Sequence, residues 1–189
     1  MALTVIQYEE ILAVLQEVPL LVDKLEARHP SLFDDVLVWL KRAEQTLTSN
    51  RLPAASQIAV YRAQLIGAGR GVHQADLAIV GRPSVSKIKE ATVGLLLGHS
   101  NGVLHAQIAE RQPVFQDAER IARQLLALAR AKGFAIAPSD SGPRQPFLHE
   151  LQDQLATDPE LGAVHAHMVG LVGSTDAVIF LDRALASLA

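Results

Sequence analysis

Small residues recur every four positions in two stretches of this chain. Ala59, Ala63, Gly67, Gly71 and Ala75 form one row, and Gly94, Gly98, Gly102 and Ala106 form the other. A spacing of four keeps each row on one face of a helix. Between the rows stands Gly81-Arg82-Pro83-Ser84, a strong turn signal. Folding back at that turn sets residue 59 opposite 106, 63 opposite 102, 67 opposite 98 and 71 opposite 94. The pattern predicts two long antiparallel helices, over about residues 54–80 and 84–111. Their axes would come closer than the usual ~8–10 Å.

The glycines make that arrangement expensive. Gly67, Gly69, Gly71, Gly94, Gly98 and Gly102 would all lie inside helices. Each costs about 0.8–1 kcal/mol relative to alanine, or roughly 5 kcal/mol together. Close backbone approach returns that energy through dispersion contacts. Otherwise the helices break at Gly67-Ala68-Gly69-Arg70-Gly71 or at Asn101-Gly102, which both read as turns. The second helix is apolar on several faces, through Ile88, Val93, Leu95, Leu96, Leu97, Val103, Leu104 and Ile108. A helix of that kind is expected at the buried centre of a bundle.

The rest of the chain also reads as helical. Thr4 to Val18 has helical apolar spacing, Pro19 kinks or ends it, and Leu20 to Arg28 continues. Ser31 is placed to cap a helix running to Thr48, with Asp34 and Asp35 in its first turn. That helix carries Trp39, the only tryptophan, expected as a core anchor. Pro113 opens a helix that reaches Lys132, with Gly133 as its stop. Residues 134–146 hold three prolines and form the one long loop, a possible internal boundary. Helices follow over about 147–156, 159–172 and 174–188, and no stretch alternates like a strand. The expectation is an all-α multi-helix bundle of about seven to eight helices around a central close-packed hairpin, in one domain spanning 1–189.

Several functions are excluded or disfavoured. The chain has no cysteine, so disulfides, thiol nucleophiles and cysteine zinc sites are absent. None of the seven histidines pairs with another at i,i+4, and Glu26-Ala-Arg-His29 is the only Glu-x-x-His, so no metal and no di-iron bundle is expected. There is no Gly-x-Ser-x-Gly, and Gly67 to Gly71 lacks the third glycine of a dinucleotide fingerprint because residue 72 is valine. No catalytic residue and no cofactor is therefore assigned. Residues 1–50 hold eight acids and four bases, residues 51–133 five and eleven, and residues 134–189 seven and two. Acidic ends packed around a basic middle account for this, and an acidic N-terminal segment argues against nucleic acid. Leu161 to Leu181 is the most membrane-like stretch, but it contains His165, His167 and Asp176. With no basic leader followed by an apolar run, a cytoplasmic protein without membrane contact is expected.

One polar cluster remains. Asn101 and His105 are i,i+4 neighbours beside the small-residue row, and the pairing puts Arg62 and Gln64 roughly opposite. Such a patch either sets helix register or floors a small-ligand pocket. In the second case Arg62 would hold an anion, with Asn101 and His105 orienting it. The leading expectation is a non-catalytic helical protein acting through protein–protein contact, self-associating or adaptor-like. The alternative is a protein or enzyme that binds a small anionic ligand at Arg62, Gln64, Asn101 and His105.

Overall fold

The computed structural model describes residues 3–72, 84–136 and 144–187. Among them it contains nine α-helices and no strand: α1 (Val5–Leu15), α2 (Val18–Glu26), α3 (Leu32–Ser49), α4 (Ala54–Gly69), α5 (Val85–Ile108), α6 (Gln112–Ala131), α7 (Arg144–Thr157), α8 (Gly162–Val172) and α9 (Ser174–Ala186). The all-α multi-helix reading holds. The chain divides into two compact units, residues 6–109 and residues 1–5 with 110–189. The division falls between Ala109 and Glu110, whereas the proline-rich loop lies within the second unit. Residues 137–143 of that loop are outside the described residues.

In the first unit, Pro19 sits in the first turn of α2 and separates it from α1. A proline is tolerated there because its missing N–H would have had no helical partner. Trp39 of α3 is the core anchor, 1% exposed. Its indole Nε1 donates to the Val14 carbonyl at 2.9 Å, which also accepts the Glu17 N–H at 3.3 Å beyond the end of α1. Ile11, Leu40, Leu47, Ile58, Leu65 and Leu104 complete the buried interior. Arg62 on α4 and Glu44 on α3 bridge the two helices through a contact of 2.6 Å. Here the acidic N-terminal block does meet the basic middle.

The expected central hairpin is corrected in three respects. First, α4 stops at Gly69 instead of running to Val80. Gly71 adopts φ +81°, the Val72 N–H reaches back to the Gly67 carbonyl at 3.0 Å, and the Gly71 N–H reaches Ala68 at 3.0 Å. This is a left-handed helix stop, and glycine has no Cβ to oppose it. Residues 73–83, including Ala75 and most of the expected turn, lie outside the described residues. Second, the register differs. A Cβ added at Gly71 would lie 3.3 Å from Val85, and Tyr61 meets His99 with ring centroids 5.9 Å apart. Gly71 therefore approaches Val85, not Gly94. Third, the small residues do not mediate close approach. A Cβ added at Gly98 or at Gly102 would have no heavy atom within 4 Å, and both residues are exposed. Helix α5 is nevertheless continuous through Asn101-Gly102, starting from Ser84, whose side chain accepts from the Lys87 N–H. It packs against α2, α3 and α4 and leaves its other face open, so it is not buried all round.

In the second unit, α6 is strongly amphipathic. It buries Phe115, Ala118, Ile121, Ala122, Leu125, Leu126 and Ala129. Helices α8 and α9 pack on it, and Phe115 meets Phe180 with ring centroids 5.8 Å apart. The start of the chain belongs here too. The Val5 N–H, at the first residue of α1, donates to the buried carboxylate of Asp176 at 2.9 Å. Asp176 thus satisfies a donor that α1 cannot pair internally. Lys132 closes the far end of α6 onto Asp158 at 2.8 Å and Glu160 at 2.9 Å. Asp158 also accepts the backbone N–H groups of Glu160 and Leu161, so both the lysine and the turn hold its carboxyl below the usual range. No single helix among the described residues is long and apolar enough to cross a membrane. Helices α8 and α9 reach that length only together, across a 115° bend.

Candidate functional site

No hydrogen bond or ion pair joins Arg62, Gln64, Asn101 and His105 to one another. The Arg62 guanidinium is held by Glu44, with Nε 2.6 Å and an Nη 3.4 Å from the two carboxylate oxygens. That contact favours the charged guanidinium and uses the fork that an anion would need. Gln64 and Asn101 are half-buried and His105 is exposed. Arg62, Gln64, Asn101 and His105 line neither of the two cavities of the first unit described next. Helix α5 instead brings His99 against α4, through Tyr61.

The first cavity lies between the α2–α3 turn and the opening turns of α5, with a volume of about 400 Å³. Leu25, Leu32, Phe33 and Val93 give it apolar walls, and Arg28, His29, Ser86, Lys89 and Glu90 give it a polar rim. The turn that shapes it is a helix stop like that at Gly71. The His29 N–H bonds to the Lys24 carbonyl at 2.9 Å and the Arg28 N–H to Leu25 at 3.1 Å. Here, however, the left-handed position is filled by Arg28, at φ +50°. A residue with a Cβ is uncommon there. Arg28 Nε lies 3.3 Å from Glu90, and the Lys89 ammonium sits 4.7 Å from the centre of the Phe33 ring. The same ring explains Gly69, where an added Cβ would come within 2.9 Å of Phe33 Cζ.

A polar chain crosses the same turn. Lys24 Nζ donates to Asp35 Oδ2 at 2.7 Å, Ser31 Oγ donates to the same oxygen at 2.6 Å, and His29 Nδ1 lies 2.8 Å from Ser31 Oγ. Both bonds to Asp35 pull its carboxyl below the usual range, the lysine most strongly. Serine, histidine and aspartate meet here in the wrong order for nucleophilic catalysis. The serine stands between the other two and gives its proton to the carboxylate, so no imidazole is placed to accept it. The cluster clamps the turn. It also takes Ser31 away from the capping role expected of it: Ser31 has helical φ/ψ and its side chain caps no backbone N–H.

The second cavity, about 470 Å³, lies between α2 and α3. Leu21 and the edge of Trp39 line it, Leu20 and Val38 flank it with 65% and 60% of their surface exposed, and the ion pairs Glu17–Arg42 and Lys24–Asp35 border it. Among the described residues no group of three or more His, Asp or Glu side chains is placed to hold a metal ion. Sequence reasoning missed both cavities because each depends on where the α2–α3 turn sits. The one available signal was Arg28-His29-Pro30, a basic pair held by a helix-stopping proline. Comparison with protein-family models, with curated proteins and with solved structures finds no match for this chain.

Proposed function

We propose that this protein acts through protein–protein contact, as a self-associating helical protein whose contact surface is the outer face of α5. The observation that carries this reading is that α5 faces water without being built for it. From Ala91 to Ile108 it has no Asp, Glu, Lys or Arg over eighteen positions, yet Gly98, Gly102 and Ala106 are exposed. A helix that lacks a charged face is ordinarily covered on every side. The neighbouring helix α4 continues the same character: Arg62, already paired, is its one charged residue, while Val60 and Ala63 are exposed. A low, uncharged ridge can pack against its own copy about a two-fold axis, with small residues letting the two backbones approach. Nucleic acid is not the partner on this reading, because the ridge from Ala91 to Ile108 carries no Lys or Arg to offer to phosphate.

Sedimentation velocity over a concentration series tests the proposal. The expected result is a reversible dimer that becomes monomeric in a Gly98→Arg/Gly102→Arg variant with unchanged far-UV circular dichroism. Both positions have open space, so the arginines fit the single chain. A wild-type chain that stays monomeric throughout, or a variant that still dimerises, overturns the assignment.

A further inference from the structure

We propose that the cleft between the α2–α3 turn and the first turns of α5 binds a small organic anion carrying an apolar ring or chain. Its volume, about 400 Å³, lies in the range that encloses a small molecule. Its walls and rim have different chemistry. Leu25, Phe33 and Val93 offer an apolar lining, and the permanent charges at the rim are Arg28 and Lys89 against the single carboxylate of Glu90. The Arg28 side chain is 82% exposed and meets Glu90 through Nε at 3.3 Å, which leaves its terminal donors open to an anion. The Lys89 ammonium lies over the Phe33 ring, so a second cation stands where the apolar wall meets water.

Arg28 occupies a left-handed position that glycine would fill without strain, and that backbone fixes where its side chain stands at the rim. An anion with an apolar body satisfies both halves of the cleft at once: its charge replaces or joins Glu90 on Arg28, and its body covers Leu25, Phe33 and Val93. The proposal does not depend on the outer face of α5, so it stands or falls apart from self-association.

Anilinonaphthalene sulfonate is a suitable probe, with the uncharged N-phenylnaphthylamine as its control. Titration of the full-length chain is followed by dye fluorescence and by backbone amide shifts. The expected result is saturable binding of the sulfonate, with shifts centred on Leu25, Arg28, Phe33, Lys89 and Val93 and much weaker binding of the neutral dye. Arg28→Gly suits the left-handed backbone, so it preserves the fold and is expected to weaken the sulfonate about tenfold; Lys89→Gln is expected to act similarly. Absence of saturable binding, shifts centred instead on Leu20, Val38 and Trp39, equal affinity for both dyes, or variants that bind like wild type would each overturn the assignment.

Discussion

Helices α5 and α6 follow one another in the chain, have 24 and 20 residues, and bury comparable rows of leucine, isoleucine and small side chains. Their outer faces differ completely. Helix α6 turns Asp117, Glu119, Arg120 and Arg123 to water and pairs them at i,i+3 and i,i+4. From Ala91 onward α5 turns Gly98, His99, Gly102, His105 and Ala106 outward. The first is a helix designed to end a protein at its solvent boundary. The second carries no Asp, Glu, Lys or Arg over that stretch and meets water with glycine, alanine and two histidines. A glycine in a helix interior costs stability that a neighbour normally repays, and at Gly98 and Gly102 this chain provides no neighbour. The contrast is the basis for looking outside the single chain for the partner of α5.

The largest expected effects test whether the inner faces are in fact equivalent. Leu104→Ala in α5 and Leu125→Ala in α6 each remove a side chain with 0% exposure. Each should destabilise its unit by about 2–5 kcal/mol in urea unfolding. Trp39 is the only tryptophan and lies in the first unit, so its fluorescence reports the Leu104 change directly. If Leu104→Ala costs well under 1 kcal/mol while Leu125→Ala costs several, the inner face of α5 is poorly packed and the comparison fails at its first step.

The next effect separates the units by pH. His165 on α8 is buried, its Nε2 has no hydrogen-bond partner, and burial pushes its pKa down against a weaker opposing pull from Asp153. The folded state then holds fewer protons than the unfolded state. The stability associated with neutral His165 is present above the ordinary histidine pKa of about 6.5 and is lost as pH falls through that value toward the lowered one. Acidification from about pH 7 to about pH 5 should therefore weaken the second unit, and His165→Leu should flatten the dependence. Far-UV circular dichroism read against Trp39 fluorescence distinguishes the units. An unchanged pH slope in His165→Leu would assign acid sensitivity elsewhere.

Much of the architecture was legible in the sequence. Pro19, Ser84, Gly133 and Asp158-Pro159 mark element ends, and the apolar spacing of α6 gave its buried face, because these signals act within a few residues of themselves. The pairing of the two small-residue rows was not legible. Spacing fixes which residues share a face, but it does not fix which face a partner covers, nor the register of two helices joined by a long connection. The expected ligand cluster assumed that register, and the Arg62 guanidinium is paired with Glu44. Tight glycines also escaped the pattern. A Cβ at Gly162 would lie 2.8 Å from the Ala156 carbonyl oxygen, yet Gly162 belongs to neither row.

A smaller effect follows from the glycines themselves. Gly98→Ala and Gly102→Ala should each stabilise the dilute, monomeric chain by about 1 kcal/mol, because helix propensity improves and nothing is displaced. Gly69→Ala should do the opposite, since its Cβ meets Phe33 at 2.9 Å. The same alanines are expected to weaken self-association if backbones approach at α5. A loss of monomer stability in Gly98→Ala would restore the close intramolecular packing that the structure removes.

The smallest effect concerns two arginines in the same backbone state. Arg28 at φ +50° and Arg51 at φ +56° both follow a helix, and in both cases the next N–H reaches back five residues, His29 to Lys24 and Leu52 to Leu47. Glycine at either position should stabilise the chain by about 0.5–1 kcal/mol, because an L side chain opposes the left-handed region. Arg51 lines neither cavity, so its replacement should change stability alone. Arg28 lines the α2–α5 cleft and contacts Glu90, so its replacement should gain stability and lose affinity for the sulfonate dye. Thermal unfolding of the two variants beside dye titration reads both quantities. If Arg28→Gly and Arg51→Gly behave identically in both measurements, strain at Arg28 is an ordinary helix ending and has no connection to the cleft.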